Sequence, residues 1–226
     1  MDIIITGASR GIGAYLFEHL ESETNRVYGT YNSSSETNSK FLYKLDIRDE
    51  NEVQKWIDSL DLGRDVVLIN CAGITYNKFA HKSDMQSWRN VIDVNLIGTF
   101  NVIHKILPLM RENMFGRIIN FSSIAAQVGT PGVSAYAASK SALWGLSKTI
   151  AVENASKGIT INNINLGYAD IGMGIDSVPA SFKNQIRERI PNKEFCDPSQ
   201  ILNTVNYLIS NNYVNGTGID INGGLY

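Results

Sequence analysis

The chain has 226 residues, 43% of them hydrophobic, with a net charge of −2, which suits one well-cored α/β domain and is short for two. Without a basic excess no nucleic-acid partner is expected. No apolar run approaches membrane-spanning length, so no membrane association is expected and a cytoplasmic protein is. Cys71 and Cys196 have no CxxC spacing and read as buried or incidental thiols. His19, His81 and His104 lack metal-ligand spacing, so no metal site is expected.

Residues 2–6 form an apolar, β-branched run, and Thr6-Gly7-Ala8-Ser9-Arg10-Gly11-Ile12-Gly13 follows before a helical pattern carrying Tyr15, Leu16, Phe17 and Leu20. In such a strand, turn and helix, Gly7 allows the tight turn and Gly11 lets backbone amides approach a pyrophosphate. Gly13 lets the helix pack closely on the strand. The spacing G-x-x-x-G-x-G differs from the G-x-G-x-x-G fingerprint, and a structural turn without a ligand is the competing reading. A second strand, Arg26 to Thr30, ends in Tyr31-Asn32-Ser33-Ser34-Ser35, where NAD-selective sites place an acid for the ribose 2′-hydroxyl. The first carboxylate there is Glu36, whereas Arg10, Ser33 and Ser34 are suited to a 2′-phosphate. NADP(H) is therefore expected over NAD(H), the competing reading being a solvated Arg10 beside a polar loop.

Phe41 to Leu45 reads as a third strand ending in Asp46-Ile47, and Asp49 opens an amphipathic helix with Val53, Trp56, Ile57 and Leu60. Asp65 to Asn70 is an apolar central strand running into Cys71-Ala72-Gly73, small residues that suit a backbone skirting a flat ligand. Ser83-Asp-Met-Gln86 resembles a capping box for a long helix reaching about Arg111. Asn95 falls mid-helix, where it either hydrogen-bonds something specific or is a tolerated surface residue, the usual case. Gly116 to Ser122 reads as a fifth strand with Ser123 at its carboxyl end, where open parallel sheets bind ligands.

If Val133 to Ala155 is helical, Tyr136 and Lys140 share one face at i and i+4. An ammonium beside a phenol favours the phenolate and lowers the phenol's pKa toward what a general acid or base needs. Gly158 to Asn165 is a sixth strand, followed by a mixed segment from Gly167 to Phe195, a helix capped by Asp197 with Pro198 at its first position, and a last strand before Asn222. The alternation predicts a doubly wound α/β domain over 1–226, with seven parallel strands and helices on both faces.

T-G-A-S-R-G-I-G, N-C-A-G, the Asn95 segment, Ser123 and Tyr136-A-A-S-Lys140 together resemble the short-chain dehydrogenase/reductase family across essentially the whole chain. Ser123 lies thirteen residues before Tyr136 and Asn95 twenty-eight before Ser123, spacings like those of that family. The resemblance implies a Rossmann-type fold. It also implies that Ser123 holds the substrate oxygen, Tyr136 transfers the proton, Lys140 contacts the nicotinamide ribose and lowers the phenol's pKa, and Asn95 supports a water relay to Lys140. The implied cofactor set is Gly7, Ser9, Arg10, Gly11, Ile12 and Gly13 in the loop, Tyr31, Asn32 and Ser33 after the second strand, and Asp46 with Ile47 after the third. Asn70, Ala72, Gly73 and Gly167, together with Tyr136 and Lys140, complete it.

The family's N-x-x-x-P-G-x-x-x-T reads here with Leu166 for the proline and Ile171 for the threonine, so the nicotinamide end loses a hydroxyl contact. Gly172 and Gly174 suggest a mobile substrate lid over about 171–196. Its Met173, Ile175, Val178, Phe182 and Phe195 suggest an apolar substrate wall. Within the family, the glycine loop, V-Y-G-T-Y-N-S and I-N-G-G-L-Y look most like 3-oxoacyl-acyl carrier protein reductases. That likeness implies a carbonyl substrate carried on acyl carrier protein, docked on basic residues such as Lys157 and Arg111. Reduction of another small ketone or sugar-derived carbonyl, and a non-catalytic NADP-binding scaffold, are the competing functions. Apolar residues on helices 84–111 and 133–156 (Phe100, Ile103, Leu107, Leu143, Trp144, Leu146) and the C-terminal Gly223 to Tyr226 imply, by family habit, a homotetramer.

Overall fold

The computed structural model describes residues 1–33, 39–173 and 178–225. Ser34, Ser35, Glu36, Gly174, Ile175 and Tyr226, used above, lie outside them. Seven strands form one wholly parallel sheet: β1 (Asp2–Thr6), β2 (Arg26–Tyr31), β3 (Leu42–Lys44), β4 (Val66–Asn70), β5 (Gly116–Ser123), β6 (Ile159–Leu166) and β7 (Gly218–Ile221). Their spatial order is β3-β2-β1-β4-β5-β6-β7. β1 and β4 are covered on both faces, and that is why they read as near-continuous apolar runs rather than as alternating ones.

Successive side chains point to opposite faces. Ile3 and Ile5 pack with α1 (Gly11–Leu20) and α7 (Pro198–Ser210), through Leu16, Leu20, Ile201 and Val205. Ile4 and Leu68 pack with α2 (Glu50–Ser59) and the long helices below, through Val53, Trp56, Val102, Ile106 and Ile150. Burying each such side chain stabilises the fold by about 1.5–3 kcal/mol. Asp49 caps α2 by accepting from the Asn51 and Glu52 N–H groups, and Asp197 caps α7 ahead of Pro198.

The long helix differs from expectation in two ways. Its cap is Asp84, whose carboxylate accepts from the Ser87 N–H at 2.8 Å, whereas Ser83 Oγ donates back to the Phe79 carbonyl. The helix also divides into α3 (Met85–Ile92), a π-helical turn (Asp93–Gly98) and α4 (Thr99–Asn113). A π-turn widens the helix by one residue, and here it turns Asn95 inward, where it is fully buried. α5 (Ser134–Asn154) runs behind β5 and β6, and α6 (Ala180–Arg189) follows the lid segment. The chain reverses its direction of strand addition between β1 and β4, which opens a crevice at the carboxyl ends of those strands. Among the described residues, no helix is long and apolar enough to cross a membrane and no cluster of metal-binding side chains occurs.

Candidate active site

Two clefts meet at that crevice. The larger, about 570 Å³, runs from the glycine loop past Tyr31, Asn32 and Ser33 to Asp46, Ile47, Ala72 and Gly73. The smaller, about 290 Å³, is lined by Ser123, Tyr136, Lys140 and Gly167. Ile12, Cys71, Gly73, Thr75 and Met173 line both, so the two spaces are continuous.

The larger cleft is a cradle made by missing Cβ atoms. Gly7 has φ +71°, and a Cβ there would lie 2.7 Å from Ala72 Cα; one on Gly13 would strike the Gly7 carbonyl. Thr6 Oγ1 accepts from the Ala72 N–H at 3.2 Å, tying the loop to the end of β4. No side chain caps the N-terminus of α1, so its N–H groups face the cleft unopposed. Arg10 and Ser33 line the same space. Asp46 is the carboxylate on this lining, and Arg48 grips it at 2.5 Å while Asn32 also bonds it, which holds its pKa below the usual carboxylate range. These residues fit a nicotinamide dinucleotide, whose pyrophosphate the turn from Gly11 to Gly13 would hold. Gly172, at φ +75°, lies against Gly11, where a Cβ would meet its Cα at 3.0 Å.

The smaller cleft gathers the reactive groups. Ser123 sits at the end of β5, where its Oγ accepts from the Ala125 N–H at 3.1 Å and its hydroxyl bonds the Tyr136 phenol. Lys140 is buried; its Nζ donates to the Phe121 carbonyl at 2.6 Å and lies 5.7 Å from the Tyr136 ring centre. Burial pushes the Tyr136 phenol up, and the hydrogen bond from Ser123 opposes that rise. Burial also pushes the Lys140 ammonium itself down to about 8.

Asn95 is no surface residue. Its Oδ1 accepts from the Ile74 N–H at 2.8 Å, and its Nδ2 donates to the Ile74 carbonyl at 2.9 Å and to Ser139 Oγ at 3.0 Å. It braces the loop after β4 against α5. A Cβ on Gly73 would lie 3.3 Å from Asn95 Oδ1 and 3.7 Å from Lys140 Nζ, so the two groups converge over that glycine.

A model of the short chain dehydrogenase family matches residues 2–180. The chain belongs to the short-chain dehydrogenase/reductase family. The 3-oxoacyl-(acyl-carrier-protein) reductase of Staphylococcus epidermidis is 36% identical, over 99% of this chain and 98% of that one. The acetoacetyl-CoA reductase of Rhizobium meliloti is also 36% identical, over 99% and 97%. Among solved structures, a 3-oxoacyl-(acyl-carrier protein) reductase from Brucella melitensis superposes with a TM-score of 0.90 at 27% identity, covering all of this chain and 91% of that one. ElxO with NADP bound superposes with a TM-score of 0.90 at 25% identity, covering 99% and 98%. The chain is therefore an oxidoreductase of a family that binds a nicotinamide cofactor.

Of the expected cofactor residues, Asn70 turns its side chain into the sheet, donating to Asn120 Oδ1 at 2.8 Å, and Gly167 lines the smaller cleft with Tyr136 and Lys140. Of the described lid residues, Met173 and Val178 line the smaller cleft. Phe182 is exposed, and Phe195 packs on Tyr168 and Arg187. Ile171, in place of the family threonine, lines the smaller cleft, and Leu166 is buried. Ile103 and Leu143, expected on an assembly surface, are core residues, while Phe100 is 42% exposed. Arg111, expected at a docking surface, bonds Asn154 and the Glu153 carbonyl. Sequence reasoning missed Thr75, Asn77 and Thr130 on the smaller cleft, whose short polar types carry no spacing signal, and Tyr168, a lone aromatic with no motif around it. Cys71, expected as a buried or incidental thiol, lines both clefts, with burial pushing its pKa up.

Proposed function

We propose that the chain uses NADPH to reduce the ketone of a 3-oxoacyl thioester to a secondary alcohol, as a cytoplasmic homotetramer. One observation carries this reading: Ser123, Tyr136 and Lys140 line a cleft that opens directly into the glycine-loop cleft. When bound, the cofactor supplies the hydride to the carbonyl carbon. The chain's own residues bind, orient and protonate. The Ser123 hydroxyl, fixed by the Ala125 N–H, directs its proton toward Tyr136 and a substrate oxygen beside it. Tyr136, raised by burial, holds its proton at neutral pH and gives it to the oxygen as charge develops there. Asn95 Oδ1, which accepts from the Ile74 N–H, has a second lone pair for a water that returns the proton by way of Lys140, both groups lying beside Gly73.

NADPH is favoured over NADH by Arg10 and Ser33 on the lining, with Asp46 neutralised by Arg48. The thioester reading draws on the two named relatives at 36% identity. Acyl carrier protein, with Lys157 as the remaining basic contact expected from the sequence, is one carrier such a thioester can have, and coenzyme A is the other. Thr75, Asn77 and Thr130 on the cleft favour a second reading, a small hydroxylated ketone. Acetoacetyl-CoA and a panel of sugar ketones, followed by NADPH consumption, separate the two. A higher kcat/KM for a sugar ketone overturns the first. For the tetramer, light scattering at micromolar concentration should give four times the chain mass, and a monomer mass would contradict it.

A further inference from the structure

We propose that the turn from Lys78 to Lys82, at the mouth of the smaller cleft, binds the phosphorylated adenosine end of a coenzyme A thioester. This rests on the thioester reading and assigns its carrier. Asn77 lines the cleft, and the Lys78 N–H donates to the Gly132 carbonyl at 2.8 Å. That bond seats the turn against the segment whose Thr130 and Val133 line the same cleft. The turn is built rather than loose: the Lys82 N–H donates to the Phe79 carbonyl at 2.8 Å and Ser83 Oγ to the same carbonyl at 3.2 Å.

Two features of this turn are unexplained by folding. Phe79 is 57% exposed and stacks on the exposed ring of His81, with centres 6.2 Å apart and planes at 26°. Lys78 and Lys82 flank it, both exposed, and among the described residues neither has an ion-pair partner. The next carboxylate along the chain, Asp84, is occupied by the Tyr76 hydroxyl and the Ser87 N–H, each at 2.8 Å. An exposed aromatic ring with unpaired ammoniums on the same turn is what a purine carrying phosphates recognises: the base stacks, and the phosphates take charge-assisted hydrogen bonds. The acidic surface of a carrier protein would use the lysines and leave the aromatic plane idle, so the geometry points to coenzyme A.

The test compares acetoacetyl-CoA with acetoacetyl-N-acetylcysteamine, which has the same reacting group and no nucleotide. In the Lys78→Ala/Lys82→Ala double variant, KM for acetoacetyl-CoA should rise about tenfold or more. In Phe79→Ala it should rise several-fold. In both, kcat and every parameter for the truncated thioester should stay at wild-type values. Equal KM changes for the two substrates, no change, or a loss confined to the carrier-protein thioester would overturn the assignment. Calorimetric titration of free coenzyme A into the NADP-saturated protein separates the two levels of the claim. Binding that the double variant loses upholds the site even if no thioester is reduced. Thioester reduction with unchanged coenzyme A affinity removes the site and leaves the reduction reading standing.

Discussion

Lys140 carries a cost that can be measured apart from catalysis. Its ammonium is buried with one protein acceptor, the Phe121 carbonyl, and burial takes its pKa from 10.5 to about 8. Each unit is worth about 1.4 kcal/mol, so holding the charge destabilises the native chain by about 3 kcal/mol. The sign follows from proton counts. Below pH 8 both states are protonated and the cost is fully present. Between 8 and 10.5 the native state releases its proton before the unfolded chain does, so stability rises with pH; above 10.5 both are neutral and the cost is gone. Lys140→Met keeps the stem and removes the charge. Urea denaturation should therefore show a stability difference between variant and wild type that is constant below pH 8 and moves by about 3 kcal/mol in favour of the wild type on approaching pH 10.5. Reductase activity should be lost at every pH. Parallel stability curves across that range would refute the argument that the ammonium is desolvated.

Arg10→Ala should raise KM for NADPH roughly tenfold to a hundredfold and leave NADH kinetics little changed, since a charge-assisted bond to phosphate is worth about 1.5–3 kcal/mol; equal effects on both cofactors, or equal wild-type kcat/KM for them, would contradict the NADPH reading. Asn95→Ala strips partners from the Ile74 N–H and carbonyl and from Ser139 Oγ. Thermal unfolding should show about 2–4 kcal/mol of destabilisation, and turnover should fall with it, because unsatisfied buried groups cost about 1–3 kcal/mol each; an unchanged melting temperature would mean Asn95 is no brace.

Much of the fold was legible because its causes are local. A strand buried on both faces favours a run of apolar residues, as Val66 to Ile69 is, and Asp197-Pro198 announces a helix start by its own chemistry. Tyr136 and Lys140 were legible as a pair because four helical residues bring any two side chains together. What stayed hidden depends on distant partners. The π-turn at Asn95 has no signature residue in the sequence, and the groups that pull the amide inward lie 21 and 44 residues away. Ser83 and Asp84 are both good caps one residue apart, and the Tyr76 hydroxyl bound to Asp84 decides between them. Burial of the Tyr136 phenol and the Lys140 ammonium had no sequence signal either, because spacing reports proximity and not solvent exclusion. Phe182 was placed in the substrate wall by composition, whereas the facing of α6 leaves it in solvent.

The central claim is that Tyr136 is the proton donor of a carbonyl reductase. Single-turnover and steady-state rates of Tyr136→Phe, measured with NADPH and acetoacetyl-CoA beside fluorescence titration of NADPH, test it most directly. Removing the hydroxyl while keeping the ring should lower kcat by roughly 10²–10⁴ with NADPH affinity little changed. Turnover near the wild-type rate would contradict the catalytic assignment and leave a nicotinamide-binding protein whose chemistry lies elsewhere.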